Sequence, residues 1–212
     1  MKKILIIAFL LSAAGMAAGK DLKQIALPEP ETNKGKPLMC VLAQRHSTRE
    51  FATNRLPAQE LANLLWAANG VNRADGKRTA PSAMNCQDID LYVVLKEGIY
   101  RYDAVKHELS PVVAGDQRKY AGTQDFVATA PLNVILVSDQ AKIRGRGDVS
   151  EKMTWSNLDT GFVSENIYLY CASEGLVTVT RASVKKEALA KILNLRPEQK
   201  ITLAQTVGYP AK

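Results

Sequence analysis

Residues 159–180 read DTGFVSENIYLYCASEGLVTVT. Residues 159–175 carry Phe162, Val163, Ile167, Leu169, Tyr170 and Ala172, with only Glu165 and Glu174 charged after the opening Asp159, which predicts a helix that is apolar nearly all round. Such a helix belongs in a core or a subunit interface. Gly175 ends it, and residues 176–180 follow as a strand of alternating β-branched side chains. Outward from there, residues 131–138 (PLNVILVS) hold no charge and have the pattern of a buried central strand. Residues 90–95 and 99–103 flank the turn Glu97-Gly98 and read as a β-hairpin. Residues 185–193 read as a helix, and residues 201–207 as a last strand running into Gly208-Tyr209-Pro210.

Toward the N-terminus, Pro57 opens a helix with Leu61, Leu64, Leu65 and Ala68 on one face and Gly70 as its stop. Before it, Leu38, Val41, Leu42 and Arg45 make a short apolar-faced helix. Residues 20–36 hold Pro28, Pro30, Gly35 and the acids Glu29 and Glu31, so they form an extended lead-in that wraps or tethers. Helices and strands come in irregular order. The fold class is therefore α+β, with a central mixed or antiparallel sheet flanked by helices.

Of 212 residues, 46% are apolar and 23% charged, which excludes a disordered or collagen-like chain. The N-terminus alters the charge count. Met1-Lys2-Lys3, the uncharged run 4–14 and the small residues Gly15, Ala17, Ala18 and Gly19 have the form of a secretory signal peptide, residues 1–19, ahead of the lead-in and a domain over 37–212. Its removal takes Lys2 and Lys3 away and lowers the net charge from +7 to +5. The expectation is an exported, periplasmic protein without a stable membrane anchor. Three widely spaced cysteines, Cys40, Cys86 and Cys171, fit neither a disulfide framework nor a C-x-x-C site. They read as buried free thiols, or as one disulfide with a leftover thiol.

His46 and His107 are the only histidines and neither has a second ligand at metal-binding spacing, so no metal is expected. Ser183-Val184-Lys185-Lys186 matches S-x-x-K without the partner motifs of the cell-wall enzymes, and Ser183 reads as the N-cap of the next helix. The densest polar cluster is Arg45-His46-Ser47-Thr48-Arg49. Two guanidiniums around a hydroxyl suit a phosphate or another planar anion, and also suit a solvated basic loop. A second cluster, Pro81-Ser82-Ala83-Met84-Asn85-Cys86-Gln87, offers several donors in a turn directly before a strand, or a polar helix start with Ser82 as cap.

With these two clusters in order, the chain resembles the nitroreductase family of FMN-dependent oxidoreductases. That family opens with R-x-S-x-[RK], continues with P-S-x-x-N-x-Q, ends its apolar central helix in a Gly-Leu step before a strand, and finishes in Gly-[Tyr/His]. Here the last two are Glu174-Gly175-Leu176 and Val207-Gly208-Tyr209-Pro210, and the likeness runs from about residue 38 to the end. The resemblance implies a domain-entwined homodimer with two FMN sites at the subunit interface. It implies that Arg45 and Ser47, with His46 between them, hold the phosphate and ribityl chain, and that Arg49 lies near the N1 and O2 edge of the ring. Pro81, Ser82, Ala83 and Asn85 would come from the partner subunit. Thr180, Arg181 and Ala182, followed by Ser183, align with the stretch whose backbone approaches flavin N5.

The implied reaction is ping-pong hydride transfer from a reduced nicotinamide, or another donor, through flavin N5 to a nitroaromatic, quinone or similar acceptor. No protein nucleophile and no nucleic acid enter it. Loops such as 104–125 and 139–157 would shape the acceptor pocket. Three departures stand out. Relatives carry a basic tail past the final Gly-[Tyr/His] that clamps the phosphate, leaving Lys212 or Arg181 as substitutes here. Ala182-Ser183 stands where some relatives have Glu-Gly. Export would separate the protein from NAD(P)H, which leaves another electron donor, or a flavin-binding or cofactor-free protein that keeps the fold without turnover.

Overall fold

The uncharged run at 131–138 is the centre of the sheet. A computed structural model describes residues 22–144 and 147–211, so the expected export signal and Lys212 lie outside the described residues. The elements are β1 (Ile25–Ala26), α1 (Leu38–Gln44), α2 (Ala58–Asn69), β2 (Ile89–Val94), β3 (Gly98–Asp103), β4 (Glu108–Ala114), α3 (Phe126–Thr129), β5 (Leu132–Asp139), α4 (Val149–Glu174), β6 (Val177–Arg181), α5 (Lys186–Ile192) and β7 (Gln199–Gly208). The seven strands form one sheet in the order β1-β4-β3-β2-β5-β7-β6, every neighbouring pair antiparallel. Of the two sheet types open from sequence, the antiparallel one is observed.

All eight residues of β5 are buried. Leu132, Val134 and Leu136 pack with Leu64, Leu65, Val163 and Ile167 in the layer of α2 and α4, while Ile135 and Val137 pack with Val127, Leu189 and Leu193 on the other side. Both faces are covered by helices, which is why an antiparallel strand reads as a continuous apolar run rather than an alternating one. The hairpin of β2 and β3 and the strands β6 and β7 stand where their patterns put them.

Four expectations change. The central helix begins at Val149 rather than Asp159, because Asp148 accepts the backbone N–H groups of Ser150 and Glu151 at 2.8 and 2.9 Å and caps it. It ends at Gly175, whose φ of +73° is the left-handed conformation glycine adopts at least cost. The segment 104–125 is not all loop, since β4 pairs with β3 and β1; Pro111 within it obscures the strand pattern. Ser183 does not cap α5. Lys185 occupies that position, and the Ser183 carbonyl accepts the N–H of Thr123. Cys86 and Cys171 are buried thiols, but Cys40 is an exposed one.

Residues 22–36 run along the outside of the domain. Ile25 pairs with Leu109 across β1 and β4, Lys34 bridges to Glu174 at 2.9 Å, and the Lys36 N–H donates to Ser173 Oγ at 2.9 Å. No helix among the described residues is long and apolar enough to cross a membrane. Leu136 is fully buried at the centre of the sheet. Leu136→Ala should therefore cost about 2–5 kcal/mol of stability, read as a lower urea midpoint at unchanged slope.

Candidate functional site

The inward side of α4 is mixed, with polar side chains buried beside Val163, Ile167 and Cys171, which corrects the expectation of a helix apolar nearly all round. Ser156, Asp159, Thr160 and Ser164 are buried. Ser156 Oγ lies 2.7 Å from Ser138 Oγ on β5, Thr160 Oγ1 lies 2.9 Å from Thr202 Oγ1 on β7, and Ser164 Oγ donates to Gln205 Oε1 at 2.9 Å. The apolar side chains Leu158 and Phe162 stand outward instead, 58% and 47% exposed. The count of apolar residues was legible in the sequence. The direction they face was not.

One flank of α4 carries the first cluster. Arg45 is the residue at which α1 ends, and the loop that follows lies along β6, with the Thr48 N–H donating to the Thr178 carbonyl at 3.1 Å. Tyr168 of α4 joins the two segments. Its hydroxyl accepts the Thr180 N–H at 2.9 Å and lies 2.7 Å from Ser47 Oγ, while the Arg45 guanidinium sits 5.2 Å from the centre of its ring. His46 Nδ1 donates to the Gln44 carbonyl at 2.7 Å. Among the described residues, neither Arg45 nor Arg49 is bridged to a carboxylate, and Ser47 and Arg49 are exposed. The chain end arrives at the same place, the Ala52 N–H donating to the Tyr209 carbonyl and Phe51 bridging to Pro210.

The structure thus brings Arg45, His46, Ser47 and Arg49 together with Thr180, Arg181 and Ala182. An open groove of about 550 Å³ starts at Ala182 and runs past Val184, Lys185 and Lys186. Arg181 is a correction as a substitute phosphate clamp. Its side chain is buried, donating to the Ala121 carbonyl, Asn133 Oδ1 and Thr206 Oγ1, and lying 5.7 Å from the Phe126 ring centre. A Cβ at Gly122 would collide with that guanidinium. Only the backbone of residue 181 remains for a ligand. Lys212, the other substitute, is outside the described residues.

The second cluster lies on the opposite flank. The Ala83 N–H donates to both carboxyl oxygens of Asp159, at 3.1 and 3.0 Å. Asp159 and Tyr168 are nine positions apart, about 13 Å along the helix and roughly half a turn around it. Pro81, Ser82, Ala83 and Asn85 therefore do not join Arg45 and Ser47 within one protomer. The turn itself is strained and well held. Met84, Asn85 and Gln87 have φ values of +49°, +52° and +49°, a region that only Asn among the three visits readily. Ser82 stands at the N-cap position of the short 3-10 turn Ala83–Asn85, but its side chain does not cap it; its hydroxyl accepts the N–H of Gln87 at 2.9 Å, while Gln87 Nε2 donates to the Gly76 carbonyl.

Sequence reading missed Tyr168, Asp159 and Asp88. Asp88 is fully buried and accepts from Ser138 Oγ through Oδ2, while its Oδ1 has no hydrogen-bond partner among the described residues. Burial pushes Asp159 up to about 7, against the Ala83 N–H that favours its charged form, and the neighbouring Asp88 carboxyl raises it further. An acid inside an otherwise uncharged window was the available signal for Asp159; nothing local marks Tyr168. No group of three His, Cys, Asp or Glu among the described residues could hold a metal ion.

A family model described as Nitroreductase family matches residues 42–209. The chain belongs to the nitroreductase family. A candidate nitroreductase of Methanocaldococcus jannaschii is 30% identical over 187 residues, covering 83% of this chain and 92% of that protein. The crystal structure of a candidate nitroreductase from Ralstonia eutropha superposes with a TM-score of 0.85 at 43% identity, covering 92% of this chain and 93% of the other. A candidate nitroreductase from Desulfovibrio desulfuricans, solved in complex with FMN, shares the fold at a TM-score of 0.61 and 17% identity, over 84% of this chain and 88% of that one. Within this family member, the four sequence motifs sort into two groups: His46 of the first and Leu176 of the third line one small pocket with Tyr168, and the last meets Phe51 and Ala52 just after the first, while the Pro81–Gln87 turn stands apart on Asp159.

A raised folded-state pKa at Asp159 gives stability that is complete below the ordinary carboxylate range and is lost as pH rises through about 7. Asp159→Asn keeps an oxygen for the Ala83 N–H and offers an N–H to Asp88. It should raise the melting temperature at pH 8 by about 2–4 °C, with the gain vanishing near pH 4; equal melting curves at pH 8 would contradict the assignment.

Proposed function

We propose that this family member is an FMN-dependent oxidoreductase whose cofactor sites form between two copies of the chain. The observation that carries the reading is the split of donors across α4: Arg45, Ser47 and Arg49 with the 180–182 backbone on one flank, and the 81–85 turn on the other. Neither half alone surrounds a ligand the length of FMN; two facing halves from different protomers do. The outward Leu158 and Phe162 of α4, with Leu38, Met39 and Leu42 of α1 also exposed, provide an apolar face for that pairing. Gly161 lies on the same outward side, with open space where a side chain would stand.

The residues present fit a phosphate-bearing flavin. Two guanidiniums without carboxylate partners among the described residues, flanking the exposed Ser47 hydroxyl, suit a dianion through charge-assisted hydrogen bonds. Arg49 would supply a cation for negative charge that develops on the reduced ring. The 180–182 backbone, where the edge strand β6 ends, would form a wall of the flavin site. Bound FMN supplies the redox chemistry, accepting hydride from a donor and passing it to an acceptor such as a nitroaromatic or quinone. The protein's work is to bind, to orient and to exclude water. With the export signal that residues 1–19 resemble, the donor is a reduced nicotinamide or another reductant that reaches the periplasm, where the protein acts.

The purified protein should be yellow, release FMN on heating, bleach with NADH or NADPH, and recolour with a nitroaromatic or quinone. Flavin without bleaching would instead favour a binding protein that keeps the fold without turnover. Arg45→Ala and Ser47→Ala should each weaken FMN by about 1.5–3 kcal/mol, roughly 10- to 150-fold, with folding intact by circular dichroism; full occupancy in both would sink the phosphate placement. Phe162→Asp, placed on the outward face, should yield a monomer by sedimentation that no longer retains FMN.

A further inference from the structure

We infer that Tyr168 is a positioning residue that fixes the polarity of the Ser47 hydroxyl, so that Ser47 meets an anionic ligand as a hydrogen-bond donor. The inference rests on the flavin reading of the same site and deepens it. Three polar groups stand in a row: the Thr180 N–H, the Tyr168 hydroxyl at 2.9 Å, and Ser47 Oγ at 2.7 Å beyond it. The first of these can only donate, because a backbone N–H has no other role. The Tyr168 oxygen is therefore an acceptor toward β6, and its single proton is free to point the other way, at Ser47 Oγ. With that lone pair engaged, the Ser47 proton turns outward, toward exposed space beside Arg45 and Arg49. A phosphate offers only acceptors, so a hydroxyl locked as a donor is matched to it before binding.

The chain of bonds depends on where each group is held. Thr180 Oγ1 is turned inward, 2.6 Å from Ser164 Oγ, which leaves the Thr180 N–H for Tyr168. On its β7 side, Thr180 pairs with Gln205. The Tyr168 ring also lies under the Arg45 guanidinium. Tyr168→Phe keeps that ring and removes only the hydroxyl, so its effect isolates the hydrogen-bond chain from the cation–π contact.

The test is a double-mutant cycle on the full mature protein, comparing wild type, Tyr168→Phe, Ser47→Ala and the double variant. Dissociation constants are measured for FMN by flavin fluorescence, and in parallel for inorganic phosphate by thermal shift. Tyr168→Phe should weaken both ligands roughly tenfold, and should have no further effect once Ser47 is Ala. A general structural role for Tyr168 would weaken binding by the same factor in both backgrounds and would overturn the inference. So would unchanged binding in Tyr168→Phe. A protein that binds phosphate with the cycle as expected but takes no FMN keeps the donor assignment and removes the flavin reading. One that binds neither overturns both.

Discussion

The rotation of α4 about its own axis governs everything around it, and hydrogen bonds from its buried side set that rotation. Ser156, Thr160 and Ser164 reach Ser138, Thr202 and Gln205 across two strands. Apolar packing alone would tolerate a helix that slid or turned by part of a residue. Directional bonds do not, since each buried polar group left unpaired costs about 1–3 kcal/mol. With the inner side pinned, Asp159 is aimed at one flank, Tyr168 at the other, and Leu158 and Phe162 outward. The two halves of the candidate site and the face proposed to join two copies are thus consequences of one set of contacts.

Burial divides the arginines in the same way. Arg45 and Arg49 have no carboxylate partner among the described residues, whereas Arg181 is enclosed, with carbonyl, amide and hydroxyl oxygens on its guanidinium. A guanidinium already matched to fixed acceptors adds little to a ligand. One that faces solvent beside an exposed hydroxyl can give up water for a phosphate. The residue type is the same, and the surroundings decide which is structural and which is available for binding.

Much of the fold was legible because its patterns were local. The charge-free run at 131–138 is β5, the Glu97-Gly98 turn joins β2 and β3, and Gly175 ends α4 in the conformation expected of it. Where a rule was broken locally, the reading failed. Pro111 hid β4, and the polar residues 149–158 concealed the first turns of α4 because their inner members bond to the sheet rather than to water. The donor clusters at 45–49 and 81–87 were visible as motifs, but Asp88 and Asp159, far apart in the chain, give no sign of meeting. Nor does Tyr168, one aromatic among several in its helix.

By itself, the sequence determined the family, the α+β class and the identity of the donor clusters, because these rest on residue type, order and short-range periodicity. Only the tertiary structure decided that Arg181 belongs to the core, that the two clusters attach to opposite flanks of α4, and that a tyrosine ties Ser47 to the edge of the sheet. Those facts depend on the angle at which a helix meets strands distant in sequence. Long-range hydrogen bonds set that angle, and no local pattern encodes them.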